Sequence, residues 1–291
     1  MAEVSLAAAV YLAGTSGAAV TLFHVIERAA PRDIHGERHL TSLDEARDYL
    51  DEVAARVFPA DISVERHVHV GGVNDVARSI VEHVGEPGPD LIVMCTHGRG
   101  GLRGLMFGRI AQQVVKLGTT PVLLVPPAAT GASPAFSCNR MLVALDGNPG
   151  HEEGLKVAAS LAKICGAGLC LLMAVHTVDT LSGERAATAK LLPGATHALL
   201  DLAGKDAKEY LRRHVAALQA AGIAATADVR RGDPVAAILD VSKRTMVDLI
   251  VLATHGKTGM DAFWSGSATP NVVSRSVVPL LLAPVRSKDP G

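Results

Sequence analysis

The chain has 291 residues, and its 28 basic and 29 acidic side chains give a formal net charge of −1 at pH 7. A balance so close to neutral, without a long basic run, argues against nucleic acid and anionic membranes as partners. Hydrophobic residues make up 48% of the chain but aromatic residues only 3%. Alanine, valine and leucine must therefore fill the core, which is typical of parallel strands covered by helices on both faces.

Length and cysteine usage narrow the class of protein further. A chain of this size predicts about two domains of ~100–200 residues each. The cysteines include no C-x-x-C pair, and Cys95 and Cys170 lie within apolar strand-like runs. We interpret them as small buried hydrophobic residues, which predicts a reduced, cytoplasmic protein.

The N-terminal stretch 5–20 is apolar and rich in small residues, as in a signal peptide, but Glu3 stands where a basic region would be expected. A later segment, 155–175, aligns with residues 6–26 without a gap, so we predict the first helix and second strand of a domain here. No run reaches the ~18 apolar residues of a membrane span.

The rest of the first half alternates predicted helices and strands. Ser42-Leu43-Asp44-Glu45 fits a capping box at the start of a helix that reaches about residue 57. The later elements are predicted from apolar periodicity and turn residues. They are a strand over 62–70, a helix over 74–84, and strands over 91–94 and 122–125.

The second half shows the same alternation with an additional strand at its start. Residues 141–145 form a short apolar run closed by Asp146-Gly147-Asn148-Pro149, which predicts a buried strand ending in a turn. Helices are predicted over 152–164, with Gly166 as C-cap, over about 198–220 and over 235–243. Further strands are predicted over 169–175, 225–230, 249–253 and 279–282.

One pattern of residues occurs twice. Thr96-His97-Gly98 is followed by Gly108, and Thr254-His255-Gly256 is followed at the same spacing by Gly266. Each copy follows an apolar run that begins at an aspartate. The repeat predicts two copies of one α/β domain with a parallel sheet and right-handed crossovers. We place the domains at 1–127 and 138–291, joined by a linker at 128–137 rich in alanine, proline, glycine and serine.

In parallel α/β sheets, ligands bind at the carboxyl ends of strands where the strand order reverses. In the second half this edge is predicted to hold Asp146 and the turn after residue 253. The glycines would allow a phosphate to approach the backbone, the following helix offers free N–H groups, and Ser267 and Thr269 offer hydroxyls. A glycine-rich turn can also be purely structural, and the residues alone leave both interpretations open.

These residues resemble those of the universal stress protein family over nearly the whole chain. The family fingerprint, G-x-x-G-x9-G-(S/T), follows strand four, and an aspartate closes strand one. The resemblance implies an α/β sheet in the order 3-2-1-4-5 and an adenine nucleotide held by these two elements. In this sequence the first glycine is replaced by Ala253. The implied ATP-binding residues are Ala144, Leu145, Asp146, Ala174, Leu252, Ala253, His255, Gly256, Gly266, Ser267, Ala268 and Thr269.

The first half departs from the fingerprint. Arg109 stands where the family has serine or threonine, and Cys95 replaces the first glycine. The ungapped offset puts the equivalent of Asp146 before Met1, so we predict that the first domain lacks strand one and leaves strands two and four apart. Either the start lies upstream, or this half is degenerate and binds no nucleotide. At most one ATP per chain is expected.

Three functional hypotheses follow. The first is an ATP-binding regulatory module of the stress-response type, with ATP alone or with Mg²⁺; the alternatives are a slow ATPase or nucleotidyl-transferring enzyme, and a nucleotide-free interaction scaffold. The first is favoured because the sequence contains no Walker lysine and no arginine finger. From the resemblance we also predict that the two halves pair antiparallel through strands 122–125 and 280–282 inside one chain. The resemblance favours a homodimer of whole chains, which the residues alone leave open.

Neither a metal site nor a catalytic residue is predicted. His67 and His69 share one face of a strand, and His35 and His39 flank a loop, but neither pair has a cysteine or carboxylate at ligand spacing. His97 and His255 have no nucleophile nearby in the sequence, so they are not interpreted as general bases.

Overall fold

The computed structural model describes residues 2–27, 33–34, 37–38, 40–71, 76–83, 89–96, 108–127, 135–255 and 268–285. The chain divides into two compact units, Met1–Ser137 and Cys138–Gly291. The predicted linker, 128–137, falls largely outside the described residues. None of the described helices has an apolar stretch long enough to cross a membrane.

The first unit combines four helices with six strands in its described part. A 3₁₀ turn, Ala2–Ser5, leads into the first helix. The elements are α1 (Leu6–Ser16), β1 (Val20–Glu27), β2 (Asp33–Ile34), β3 (Glu37–Arg38), α2 (Leu43–Val57), β4 (Val64–Gly71), α3 (Val76–Glu82), β5 (Ile92–Cys95), α4 (Arg109–Leu117) and β6 (Val122–Val125).

The strands of the first unit form separate pairs within the described residues. β1 runs parallel to β4, and β5 runs parallel to β6, while β2 and β3 make a short antiparallel ladder. The N-cap bond of the predicted capping box is present, since the Ser42 hydroxyl accepts a hydrogen bond from the Glu45 backbone N–H at 3.2 Å. Leu22 of β1 packs with Leu50 and Val53 of α2, and these form the core under the β1–β4 pair.

The N-terminal 3₁₀ turn contacts both β5 and β6 and is also attached to α2. The Glu3 carboxylate accepts hydrogen bonds from the Tyr49 hydroxyl at 2.9 Å and from the Arg56 guanidinium at 2.8 Å. Burial and the neighbouring Glu3 raise the pKa of Tyr49 to about 12. These contacts connect the β5–β6 pair to the helix that covers the β1–β4 pair.

The second unit is described almost throughout and contains five strands and five described helices. They are β7 (Arg140–Leu145), α5 (Glu153–Cys165), β8 (Gly168–Val175), α6 (Gly183–Leu191), α7 (Pro193–Ala220), β9 (Ala225–Arg231), α8 (Pro234–Arg244), β10 (Leu249–His255), α9 (Ala268–Arg275) and β11 (Leu280–Val285). The strand pairings are all parallel and run β9-β8-β7-β10-β11. The predicted parallel α/β architecture is therefore confirmed.

The crossovers determine which helices share a face of this sheet. The chain moves from β7 through β8 to β9 in one direction and then returns to β10 and β11 on the other side of β7. Because parallel crossovers are right-handed, α5 and α7 cover one face, and α8 and α9 cover the other. A hydrogen bond from Tyr210 of α7 to Glu152, just before α5, joins the first pair, and α8 and α9 pack on each other.

Hydrogen bonds from the start of β7, the central strand, to the residue just before β10 fix the register of these two strands. The Asp248 carboxylate, just before β10, accepts hydrogen bonds from the backbone N–H groups of Asn139 at 2.8 Å and Arg140 at 3.1 Å. Met141 and Leu142 of β7 are completely buried. The aspartate that opens the apolar run is therefore a structural residue that attaches β10 to β7.

The long connection after β8 differs from the sequence prediction, which placed one helix from about residue 198. The structure has a separate helix, α6, and α7 begins at Pro193, five residues earlier than predicted. Proline suits the first turn of a helix because a backbone N–H at that position would have no partner within the helix, so its absence costs nothing. α6 was not predicted because its apolar residues do not form a buried stripe: Leu191, for example, is 80% exposed.

The ion pair of Glu3 predicts a specific pH dependence of the first unit. The hydrogen bond from Arg56, with a smaller contribution from Tyr49, holds the pKa of Glu3 below its usual 4.5 although partial burial opposes this. A carboxylate with a lowered folded pKa stabilises the protein above its unfolded pKa, and this stabilisation is lost as the pH falls through the folded value. We expect Glu3→Gln to destabilise the first unit at neutral pH and to have little effect well below pH 4.5.

Urea unfolding of the wild type and of Glu3→Gln at several pH values measures the difference between their free energies of unfolding. Tyr49→Phe keeps the Arg56 contact and serves as the matched variant, for which part of the pH dependence should remain. A stability difference between wild type and Glu3→Gln that is independent of pH would contradict the assignment.

Candidate functional site

The carboxyl ends of β7 and β10 meet at one edge of the second sheet. Ala144 of β7 is in register with Leu252 of β10, and β10 then continues to His255. Asp146 follows β7 directly. On its other side β7 is in register with β8, so that Leu145 lies beside Met173, next to Ala174. The structure therefore brings together the predicted residues of β7, β8 and β10.

Asp146 begins a tightly hydrogen-bonded turn. Its Oδ1 accepts a hydrogen bond from the Asn148 backbone N–H at 3.0 Å, and its Oδ2 lies 2.5 Å from Nδ1 of His151. The Asn148 side-chain oxygen accepts from the Gly150 N–H at 2.9 Å, which starts the 3₁₀ turn Pro149–Glu152. The Asp146 side chain is still 56% exposed, so its carboxylate is held in position and remains accessible to a ligand.

Small residues surround this carboxylate. Ala144, Ala174 and Ala253 are all partly exposed at the ends of their strands. Gly154, in the first turn of α5, lies so close to β10 that a Cβ placed there would be 3.2 Å from the Ala253 backbone nitrogen. α5 can therefore approach the end of β10 because residue 154 is a glycine, and the small side chain at 253 leaves space at the same point.

A polar cluster beside Asp146 was not predicted from the sequence. The Tyr210 hydroxyl donates to Glu152 at 2.9 Å, and His214 Nε2 lies 3.3 Å from the same carboxylate. The Tyr210 and His214 rings meet edge to face with centroids 4.5 Å apart. Burial raises the pKa of Tyr210, and the hydrogen bond to Glu152 and the charge of Asp146 raise it further.

These partners come from α7, more than fifty residues along the chain, so only the fold brings them near Asp146. His151 is the exception. It follows Asp146 closely at the start of a predicted helix, and that position was a signal that the sequence contained.

The carboxyl end of β10 carries a buried hydroxyl. Thr254 is 1% exposed, and its Oγ1 has no hydrogen-bond partner among the described residues. Ala268 and Thr269 begin α9, and Thr269 is 7% exposed. The His255 backbone lies in β10, whereas the predicted residues Gly256, Gly266 and Ser267 lie outside the described residues.

The corresponding residues of the first unit are described at the end of β5 and at the start of α4. The Thr96 backbone N–H donates to Val125 of β6 at 3.0 Å, and its carbonyl accepts from the Gly108 N–H at 2.8 Å. Gly108 caps α4, and Arg109 is its first residue. Within the described residues of this unit, β5 is paired with β6, and no counterpart of the Asp146 turn stands beside it.

Comparison of the sequence with known protein families agrees with the fold and with the position of these residues. The profile of the universal stress protein family matches residues 2–126 and 138–284. The chain belongs to the universal stress protein family.

One relative is similar in sequence, and two solved structures are similar in fold. Universal stress protein YxiE from Bacillus subtilis (strain 168) is 30% identical over 151 residues, which are 50% of this chain and 97% of that protein. A universal stress protein from Archaeoglobus fulgidus DSM 4304 has a similar fold, with a TM-score of 0.68 and 20% identity, covering 98% of this chain and 96% of that one. A functionally unknown protein from Pseudomonas aeruginosa PAO1 has a TM-score of 0.58 and 13% identity, covering 94% and 95%. The family profile matches twice, as the tandem repeat predicts.

The Asp146 turn yields a prediction of stability, because Gly147 has a φ of 82°. A side chain in this left-handed region costs roughly 1–2 kcal/mol, and a Cβ at this position would also lie 3.0 Å from the Met173 methyl carbon. We expect Gly147→Ala to destabilise the second unit by about 1–2 kcal/mol in urea unfolding. Gly194→Ala is the matched control, because nothing lies within 4 Å of its Cβ position in α7.

The control should be neutral or should stabilise the unit by up to ~1 kcal/mol, since alanine is more favourable than glycine within a helix. Equal effects of the two substitutions would show that the Asp146 turn does not require the left-handed conformation.

Proposed function

We propose that the second unit of this universal stress protein binds an adenine nucleotide, ATP, at the carboxyl edge of its sheet. The observation that carries the proposal is the exposed Asp146 carboxylate, which the strand order places beside the end of β10. The strand order reverses at β7, and parallel α/β sheets generally bind ligands at such a point. The protein would then act as a regulatory module whose state depends on the bound nucleotide.

Each part of the nucleotide has a matching group in this unit. The Asp146 carboxylate can accept hydrogen bonds from ribose hydroxyls. The partly exposed alanines at 144, 174 and 253 leave room for a flat base. The first N–H groups of α9, together with Gly256, Gly266 and Ser267 of the family fingerprint, would receive the phosphates.

His151 makes a second contact with the Asp146 carboxylate. Its Nδ1 contacts the carboxylate oxygen that is not hydrogen-bonded to Asn148. A ribose hydroxyl must therefore share or replace that contact. We infer that His151 holds the Asp146 carboxylate in one orientation until the nucleotide is bound.

The residues favour binding over rapid turnover. No segment matches G-x-x-x-x-G-K-(S/T), the sequence that provides a catalytic lysine in P-loop ATPases. The first unit is proposed to bind no nucleotide, because Arg109 begins α4 and no carboxylate corresponding to Asp146 lies beside β5 in its described part. A slow ATPase using the same cleft is the second candidate.

Isothermal titration of ATP into the full chain tests both the site and the stoichiometry. We expect one ATP per chain and a loss of affinity of about 10–100-fold in Asp146→Ala, because a hydrogen bond to a charged group contributes roughly 1.5–3 kcal/mol. Asp206→Ala, on the exposed side of α7, removes a carboxylate from the same unit and should bind as the wild type does. Two equivalent sites, or unchanged binding by Asp146→Ala, would overturn the proposal.

Gly266→Val examines the phosphate side of the same site. A β-branched side chain at this position should obstruct the phosphates and abolish ATP binding. The nucleotide content of freshly purified protein and the release of phosphate or AMP over hours then separate the hypotheses. Bound ATP without release identifies a regulatory binder, release identifies a slow enzyme, and a protein that neither contains nor binds nucleotide is a scaffold.

A further inference from the structure

The strand β4 has two faces with different contents. Val64 and Val68 pack against the core formed with α2. Because successive side chains alternate between the faces of a strand, His67 and His69 point to the opposite face. β4 is paired with β1 in a register that places Phe23 beside His67. The Phe23 and His67 rings are stacked, with centroids 5.4 Å apart and an angle of 5°.

The helix α3 brings a third histidine to this face. α3 packs on both β1 and β4, and His83 follows its last residue. The His83 ring lies 4.4 Å from the His67 ring and 4.5 Å from the His69 ring, measured between centroids. One ring nitrogen from each of the three side chains lies within 4.8 Å of the other two.

We propose that His67, His69 and His83 form a site for a divalent transition-metal ion, with Zn²⁺ as the ion it suits best. Neutral imidazole is a favoured ligand of zinc, and three protein ligands with one open position are typical of zinc sites that exchange a water or substrate. This site lies in the first unit, apart from the nucleotide-binding residues, and does not depend on the proposed function.

The geometry is close to that of a loaded site. Zinc–nitrogen bonds of 2.0–2.1 Å in a tetrahedral arrangement place the ligand nitrogens about 3.3 Å apart. The three nitrogens within 4.8 Å of one another therefore need to move closer by about 1.5 Å at most. His69 is partly buried and His83 is exposed, so strand residues would supply two fixed ligands and the end of a helix an adjustable third.

The surroundings also favour the ligating form of the third ring. Partial removal from water lowers the pKa of His83, and the neighbouring His67 and His69 lower it further, so the neutral ring is favoured. A hydrogen bond to the backbone of Ser79 opposes this shift. Phe23 contacts both His67 and His83 and provides an apolar wall.

The sequence predicted no metal site, because His67 and His69 have no third ligand at a recognisable spacing. The third ligand is separated from them by the connection into α3 and by α3 itself. Only the packing of α3 on the strand pair makes the set of three histidines visible.

Titration of ZnCl₂ into chelator-treated full-length protein, prepared without a polyhistidine tag, tests the proposal. We expect one Zn²⁺ per chain at this site. His83→Ala and His69→Ala should each lower the affinity at least about ten-fold, since even the loss of a group that only hydrogen-bonds a metal ligand costs about 10–100-fold in affinity. The matched control is His197→Ala, which removes an exposed histidine from a helix of the other unit.

Two further measurements make the result specific. Co²⁺ bound by three imidazoles and a water should give the intense visible absorption of a tetrahedral site, and His83→Ala should lose it. Asp146→Ala should leave the zinc isotherm unchanged, and metal-free circular dichroism should show that each variant is folded. The proposal is overturned if the wild type binds no Zn²⁺, if His83→Ala binds it as the wild type does, or if His197→Ala weakens binding equally.

Discussion

The second unit depends on the hydrogen bonding of one buried strand to neighbours on both sides. β7 is paired with β8 and with β10, and its Met141 and Leu142 side chains are fully removed from water. Because the chain proceeds outward from β7 first in one direction and then in the other, the helices on the two faces diverge at its carboxyl end. That divergence exposes the edge where Asp146 lies. The candidate site therefore follows from the strand order.

The first unit uses the same elements without such a central strand among its described residues. β1 and β4 form one parallel pair, and β5 and β6 form another. A short N-terminal turn, held to α2 through Glu3, contacts the second pair. The proposed metal site of this unit lies on the β1–β4 pair. There the pleat of β4 separates an apolar face from a face that carries histidines.

Two polar clusters in this protein have the same origin. In the second unit, α7 brings Tyr210 and His214 to Glu152 beside the Asp146 turn. In the first, α3 brings His83 to His67 and His69. In both cases a crossover helix brings a side chain from a remote part of the sequence to residues of an earlier element. A search for closely spaced motifs finds only the residues on one side of each cluster.

The sequence by itself determined the tandem repeat, the parallel α/β class and the strand-ending aspartate, because each depends on local periodicity or on residues only a few positions apart. It also located the helix N-cap at Ser42, where one side chain satisfies a backbone N–H three residues away. The contacts of Tyr210 and His214 with Glu152 and the set of three histidines were decided only by the tertiary structure. They arise from side chains that meet across packed elements, and the sequence separation between such partners has no fixed value that a pattern could reveal.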